Sequence, residues 1–449
     1  MDAISFLKKY VKPATGCTEP IAVGYATSLA YHAIFNDIIK VNENDNFIFK
    51  NLPSEIEIDK IKQISIETDL NVFKNAYSNI IPGTNGQKGM AIASAMGLFS
   101  DPRKKLNLFD GISSESIQKA KQILKSNKII IKKIEWSDKP DLDIQVSVEY
   151  QVNSNIKTAY VRVQKDHDNV TEIRVDGKIL FEGSWKKEVE DKEKFPEKIE
   201  ELFKVARSIT SEEIEEVYKG IIMNKKVVDE GMNNDYGLKI GRTLHKIAQQ
   251  EGYEESLIAQ VRIKVGSAGD TRMGGASIPV MTTSGSGNLG IMAIIPITVM
   301  GEMKNIDKDK ICEAILFSHF ITKLADISCG HLSALCGCAI KAGIGVTAGI
   351  TYLLGGSLEQ IHAAINLMAA NNTGFICDGA KESCALKLST AAGTATECAL
   401  MALNGMKVSP DNGIIFENAE DTIKAIGQIS DSMAPTDVEI LKIIQEKNS

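Results

Sequence analysis

The sequence predicts an α+β protein: a mostly helical larger domain, plus a smaller domain built on an antiparallel sheet with flanking helices. Three observations carry this. Between residues 128 and 182 apolar side chains alternate with period two, as they do on half-buried strands. From residue 198 onward that alternation stops, and the chain is rich in Ala, Gly, Ile and Leu. The first forty residues read as helix, with Ile4, Leu7 and Val11 on one stripe and a buried-type run from Pro20.

Taken in order, KIIIKKIEW (128–136), LDIQVSVEYQV (142–152) and KTAYVRVQ (157–164) are the expected strands, with Asn153-Ser154-Asn155 turning between the last two. Asp176-Gly177 between VTEIRV and KILFEG is a strong hairpin signal, because both positions of a tight hairpin turn favour residues that tolerate positive φ. Helices around 86–99 and 114–126 are expected to pack on the sheet. KKEVEDKEKFPEK (186–198) reads as a solvated boundary. The expected organisation is a helical segment over 1–45 packed on the C-terminal domain, an α+β sheet domain over 46–197 and a helical domain over 198–449.

The chain has 449 residues, 43% of them hydrophobic and 24% charged, enough apolar surface to fold rather than stay disordered. Its net charge of −7 and its 6% aromatic content argue against nucleic-acid binding, which wants a basic patch or stacking rings. The longest apolar stretch, Leu289 to Met300, is interrupted by Pro296 and too short to span a bilayer, and no signal peptide is visible. A cytoplasmic protein without membrane or nucleic-acid partners is expected, with a homo-oligomer left open.

Seven of the eight cysteines lie between 312 and 398. Reduced thiols pack well as small apolar groups, and Cys312 and Cys398, in ICEAILFSHF and TATECALMAL, read that way. The Cys336-Gly337-Cys338 and Cys377–Cys384 segments are loop-like. C-x6-C with a distant thiol is neither a zinc-ribbon nor a ferredoxin pattern. Three thiolates on loops between helices would suit a [4Fe-4S] cluster with one iron left open. Cys17 stands apart, at the start of a helix in GCTEP, where the helix dipole favours a thiolate; it is a candidate nucleophile or base. MTTSGSGNLG (281–290), preceded by GSAGDTRMGG (266–275), exposes backbone amides ahead of a helix and reads as an anion site. Gly83–Gly89 is a weaker second loop of that kind, and no phosphate-loop motif occurs.

VKPATGCTEP, NVFKNAYSNIIPGT, GDTRMGGASIPVMTTSGSGNLGI, CGCAIKAGIGVTAGITYLLGG and ICDGAKESCALKLSTAAGTA together resemble the L-cysteine desulfidase family, which is related to the iron–sulfur L-serine dehydratases. The resemblance runs from the first helix nearly to the C-terminus. It implies a pyridoxal-free lyase that turns L-cysteine and water into pyruvate, ammonia and hydrogen sulfide at an open iron of a [4Fe-4S] cluster in the helical domain. It implies Cys377 and Cys384 as two ligands, with the third either Cys336 or Cys338 and Cys336 slightly favoured, and Cys17 as the catalytic thiol. Ser284, Ser286 and Asn288, with Arg272, would hold the carboxylate of the amino-acid substrate. The serine-rich N-terminal loop of the dehydratases is absent, and GCTEP in its place favours cysteine over serine. L-serine dehydration, or a non-catalytic cluster or zinc protein, are the alternatives.

Overall fold

The computed structural model describes residues 1–35, 38–41, 47–49, 56–134, 142–183, 195–330 and 332–447. Most of the charge run at 186–198 and the end of KIIIKKIEW lie outside them. In chain order the elements are α1 (Ala3–Tyr10), β1 (Pro13–Thr15), α2 (Thr18–Ile34), β2 (Ile38–Val41), β3 (Phe47–Phe49), β4 (Ile61–Thr68), α3 (Leu70–Ala76), α4 (Met90–Leu98), α5 (Ser114–Lys125), β5 (Ile129–Lys133), β6 (Asp143–Val152), β7 (Asn155–Gln164), β8 (Val170–Val175) and β9 (Lys178–Glu182). The helical run follows: α6 (Ile199–Arg207), α7 (Ser211–Asn233), α8 (Ile240–Glu251), α9 (Leu257–Met273), the short β10 (Pro279–Met281), α10 (Gly287–Met303), α11 (Lys308–Cys329), α12 (Lys341–Leu353), α13 (Leu358–Asn372), α14 (Cys384–Leu403), α15 (Ala419–Ser432) and α16 (Ala434–Glu446).

The fold is α+β, and the chain forms two compact units. One comprises residues 1–14, 188–378 and 382–449; the other comprises 15–187 and 379–381. The second unit holds a six-stranded sheet in the order β5-β4-β6-β7-β8-β9. Register places Ile66 opposite Val146 and Val146 opposite Val161, with Val161 opposite Ile173, so one face is a continuous buried apolar row. Helix α2 packs on β6, β7 and β8. Asp176 and Gly177 both have positive φ, as the hairpin signal required. Four of the five strand pairings within this six-stranded sheet are antiparallel. The fifth, β4 with β5, is parallel, because α3, α4 and α5 intervene and a crossover of that length returns the chain in the same direction.

The first unit is helical, with its apolar core around α10, α11 and α12; every residue of α12 is buried. Helix α1 joins this core, its Phe6 ring meeting Phe320 edge-on at 4.8 Å. Among the described residues no helix is long and apolar enough to cross a membrane.

Candidate functional site

The cysteine pocket lies in the first unit. Leu335 and Ile376 form an isolated antiparallel bridge, closed by Cys336 N–H donating to the Phe375 carbonyl at 2.8 Å and Cys377 N–H donating to the Ala334 carbonyl at 2.7 Å. Side chains alternate across such a pair, so Cys336 and Cys377, each one residue past the bridged positions, share a face. Cys384 is the first residue of α14. The four thiols of Cys336, Cys338, Cys377 and Cys384 interact electrostatically. The Cys338 thiol donates to Cys336 and holds it below the usual thiol range, while the same bond, burial and the neighbouring sulfurs hold Cys338 well above it. Cys336 is buried and the other three are half-buried, and none of the eight cysteines is in a disulfide.

Lys387, one turn along α14 from Cys384, supplies the cation. Its ammonium donates to Asp378 Oδ1 at 2.7 Å and to the Ile376 carbonyl at 2.8 Å, clamping the turn that carries Cys377. On the other side Lys341 is buried and donates to Asp326 Oδ1 at 3.0 Å and to the Gly330 carbonyl, tying the end of α11 to the start of α12 around the Cys336–Cys338 loop. Among the described residues no three His, Cys, Asp or Glu side chains form a ready-made site for a single metal ion. Four soft sulfur donors beside the half-buried Lys387 cation do suit an iron–sulfur cluster, which needs thiolates and spreads them wider than one ion.

The serine-rich loop stands where α10 begins. Thr283 and Ser286 exchange backbone hydrogen bonds at 3.1 and 3.0 Å, and Ser284 and Gly285 between them both have positive φ, 48° and 75°, which makes a tight two-residue turn. Ser284 N–H donates to the Tyr10 carbonyl at 2.9 Å. Its hydroxyl is buried with no hydrogen-bond partner among the described residues. Ser286 is the N-cap of α10 and makes no side-chain capping bond. The first-turn amides of α10 therefore have no intrahelical acceptor and no cap oxygen. Arg272, at the end of α9, is buried and donates from Nη1 to Asn288 Oδ1 at 2.8 Å. Only glycine fits at 287: a Cβ there would lie 2.3 Å from Arg272 Nε. Asn224 of α7 fastens the whole start, accepting from Met281 N–H at 2.8 Å and reaching the Gly290 carbonyl at 3.4 Å.

These two places adjoin. A Cβ at Gly337 would sit 3.5 Å from Leu289 in the first turn of α10 and 3.7 Å from Lys341. The structure thus brings together the four predicted thiols, and separately Arg272 with Asn288 at the helix start that Ser284 and Ser286 lead into; Leu289 near Gly337 links the two.

Cys17 belongs to the second unit. It is itself the N-cap of α2; Pro20 is then the third helical residue, where an amide would still lack an intrahelical acceptor. Its Sγ donates to Glu19 Oε2 at 2.8 Å, and both side chains are buried. The Glu19 carboxylate is within hydrogen-bond reach of the thiol and is placed to take its proton. Sequence reasoning missed Glu19, Lys387, Lys341 and His319. Only Glu19 had a local signal, an acid two residues from a helix-capping thiol.

The fold and the site define an α+β enzyme with a thiol pocket and an anion-binding helix start. The chain belongs to the serine dehydratase alpha chain family, whose profile matches residues 103–442, and so to the lyases of iron–sulfur serine dehydratase type. It is similar over nearly its whole length to proteins named UPF0597. One from Clostridium botulinum (strain Okra) is 35% identical over 432 residues, covering 95% of this chain and 92% of the relative. One from Desulfatibacillum aliphaticivorans is 34% identical over 449 residues, covering 97% and 96%. A third, from Clostridium perfringens (strain ATCC 13124), is 33% identical over 444 residues, covering 98% and 97%.

Proposed function

We propose that the protein is a pyridoxal-independent iron–sulfur lyase that converts L-cysteine and water to pyruvate, ammonia and hydrogen sulfide. The observation that supports this reading is the close approach of Gly337, between Cys336 and Cys338, to Leu289 in the first turn of α10: a cluster on the thiols would lie next to the helix start that would take an amino-acid carboxylate. Cys377, Cys384 and Cys336 would hold a [4Fe-4S] cluster. Cys336 is preferred to Cys338 because it shares the bridge face with Cys377. When bound, the cluster supplies an open iron that acts as a Lewis acid toward the substrate sulfur.

The chain's own residues do the rest. Arg272, the Ser284 and Ser286 hydroxyls, Asn288 and the first amides of α10 bind the carboxylate and orient Cα. Cys17 is the base. Glu19 accepts its thiol proton, and the thiolate then takes the α-proton. The Cα–H electrons form the C=C bond, the C–S bond breaks, and sulfide leaves. The aminoacrylate tautomerises and water hydrolyses it to pyruvate and ammonia without further help.

Dehydration of L-serine by the same apparatus is the second reading, favoured by the family match. The test is anaerobic reconstitution followed by assay of sulfide and pyruvate from L-cysteine, with L-serine in parallel. Equal sulfide and pyruvate, lost in air, supports the desulfidase reading. Pyruvate from serine alone moves the protein to the dehydratases. A loaded cluster with neither product overturns both. Iron content of Cys336→Ser against Cys338→Ser decides the third ligand: the first is expected to lose cluster iron and the second to keep it.

A further inference from the structure

His319, midway along α11, has no part in the chemistry above. Its ring is fully buried, and Nδ1 lies 2.8 Å from Thr283 Oγ1. Nε2 is buried with no hydrogen-bond partner among the described residues. Burial pushes the imidazole down to about 3, so the ring is neutral. A buried ring with one nitrogen unsatisfied is a poor filler for an apolar core. What it does make is the bond to Thr283.

Thr283 opens the turn that leads into α10. The next residue, Ser284, is not glycine and yet has φ 48°, a conformation that persists only where its surroundings over-determine it. Two anchors do so. Tyr10 accepts from the Ser284 amide, and His319 holds the hydroxyl of the residue before it. The Ser284 hydroxyl is buried and without a partner among the described residues, and the helix that follows has no side-chain cap.

We propose that His319 is a positioning residue: by holding Thr283 Oγ1 it fixes the left-handed Ser284–Gly285 pair, so that the Ser284 hydroxyl and the first amides of α10 receive an amino-acid carboxylate. This rests on the reading of that turn as the carboxylate subsite.

The test compares wild type, His319→Asn, His319→Phe and Thr283→Val as anaerobically reconstituted full chains. The asparagine amide can replace the Nδ1 contact; phenylalanine fills the space without it. Two readouts are taken: amide hydrogen exchange over residues 283–289, with and without L-alanine, and kcat and KM for L-cysteine and L-serine. L-alanine has the carboxylate and amine but no leaving group. For His319→Phe, exchange at 283–289 is expected to rise about tenfold and KM about tenfold, the loss of one hydrogen bond, while kcat changes less than about twofold. L-alanine protects 283–289 in wild type and fails to in this variant, and His319→Asn restores both readouts. If His319→Phe does not fold, Thr283→Val removes the same bond from the other end and is expected to give the same pattern. Exchange and L-alanine protection at wild-type values in Thr283→Val overturn the proposal. So does a rise in exchange spread evenly along α11 with none localised to the turn. If wild type turns over neither amino acid, the functional reading falls, and the exchange data still decide the role of His319.

Discussion

Helices α2 and α10 are each 17 residues long, each begins buried, and neither has a side-chain capping bond. They differ at the second helical position. In α2 it is Glu19; in α10 it is Asn288. The positive end of a helix draws negative charge. At α2 the chain supplies its own, and the carboxylate also engages the Cys17 thiol. At α10 the chain supplies amides, a hydroxyl and the Arg272 guanidinium, and no acid in the first turn. One backbone feature thus serves two ends: a helix start that is filled from within holds a buried thiol, and one left without an acid of its own is suited to bind an anion.

The contrast can be broken at either helix. The largest effect is expected at α2. Cys17→Ala should lower kcat for the elimination about 10²–10⁴-fold, the range for a positioned base, with KM and cluster absorbance retained; undiminished turnover would remove Cys17 from the mechanism. Next comes conversion of one start into the other. Asn288→Asp puts a carboxylate where α2 has one, paired with Arg272. It should raise KM about tenfold or more by excluding the substrate carboxylate, while stabilising the helix start by about 0.3–1 kcal/mol; an unchanged KM would mean that the carboxylate binds elsewhere. Gly287→Ala should destabilise the chain by about 1–3 kcal/mol in denaturant unfolding, because the new methyl meets Arg272 in a packed site.

The last test concerns a third helix start, α8, where Asp270 accepts from Gly241 N–H at 3.0 Å. Burial raises this carboxyl from 3.8 to about 6 despite the backbone amides that favour its charge. Between those values the folded chain holds a proton that the unfolded chain has lost, so stability falls as pH rises through the window. Asp270→Asn does not titrate. Its unfolding midpoint should therefore gain on wild type between pH 3.8 and about 6, and a constant gap would refute the shift.

Local pattern made much of the fold legible. The strands at 143–152, 155–164 and 170–182 follow from strict alternation and from the Asp176-Gly177 turn, all short-range features. The parallel partnership of β4 and β5 joins segments separated by three helices, and no local period encodes it. At the site, the serine-rich run before α10 was visible as a donor-rich loop because its residues are contiguous. The thiols were named as a set from their loops and the family resemblance, but spacing did not show how they meet: that depends on the bridge between Leu335 and Ile376, some forty residues apart. His319, Lys387 and Lys341 were invisible for a related reason. A lysine or histidine in a helix looks the same whether it faces water, a core or a turn, and only the packed neighbours decide.

The seating of α1 has a consequence for synthesis. Phe6 emerges from the ribosome early, but its ring partner Phe320 is made more than three hundred residues later. At typical elongation rates the interval is about 15–60 s. Throughout it the amphipathic first helix has no finished core to join, although residues 15–187 can already have condensed into their own unit. The nascent chain thus carries an adhesive amphipathic helix, and the helical unit closes only when the last of its core helices has been translated. A chaperone that masks short apolar helices near the exit tunnel should raise the yield of this protein more than that of one whose first helix folds onto its immediate successors.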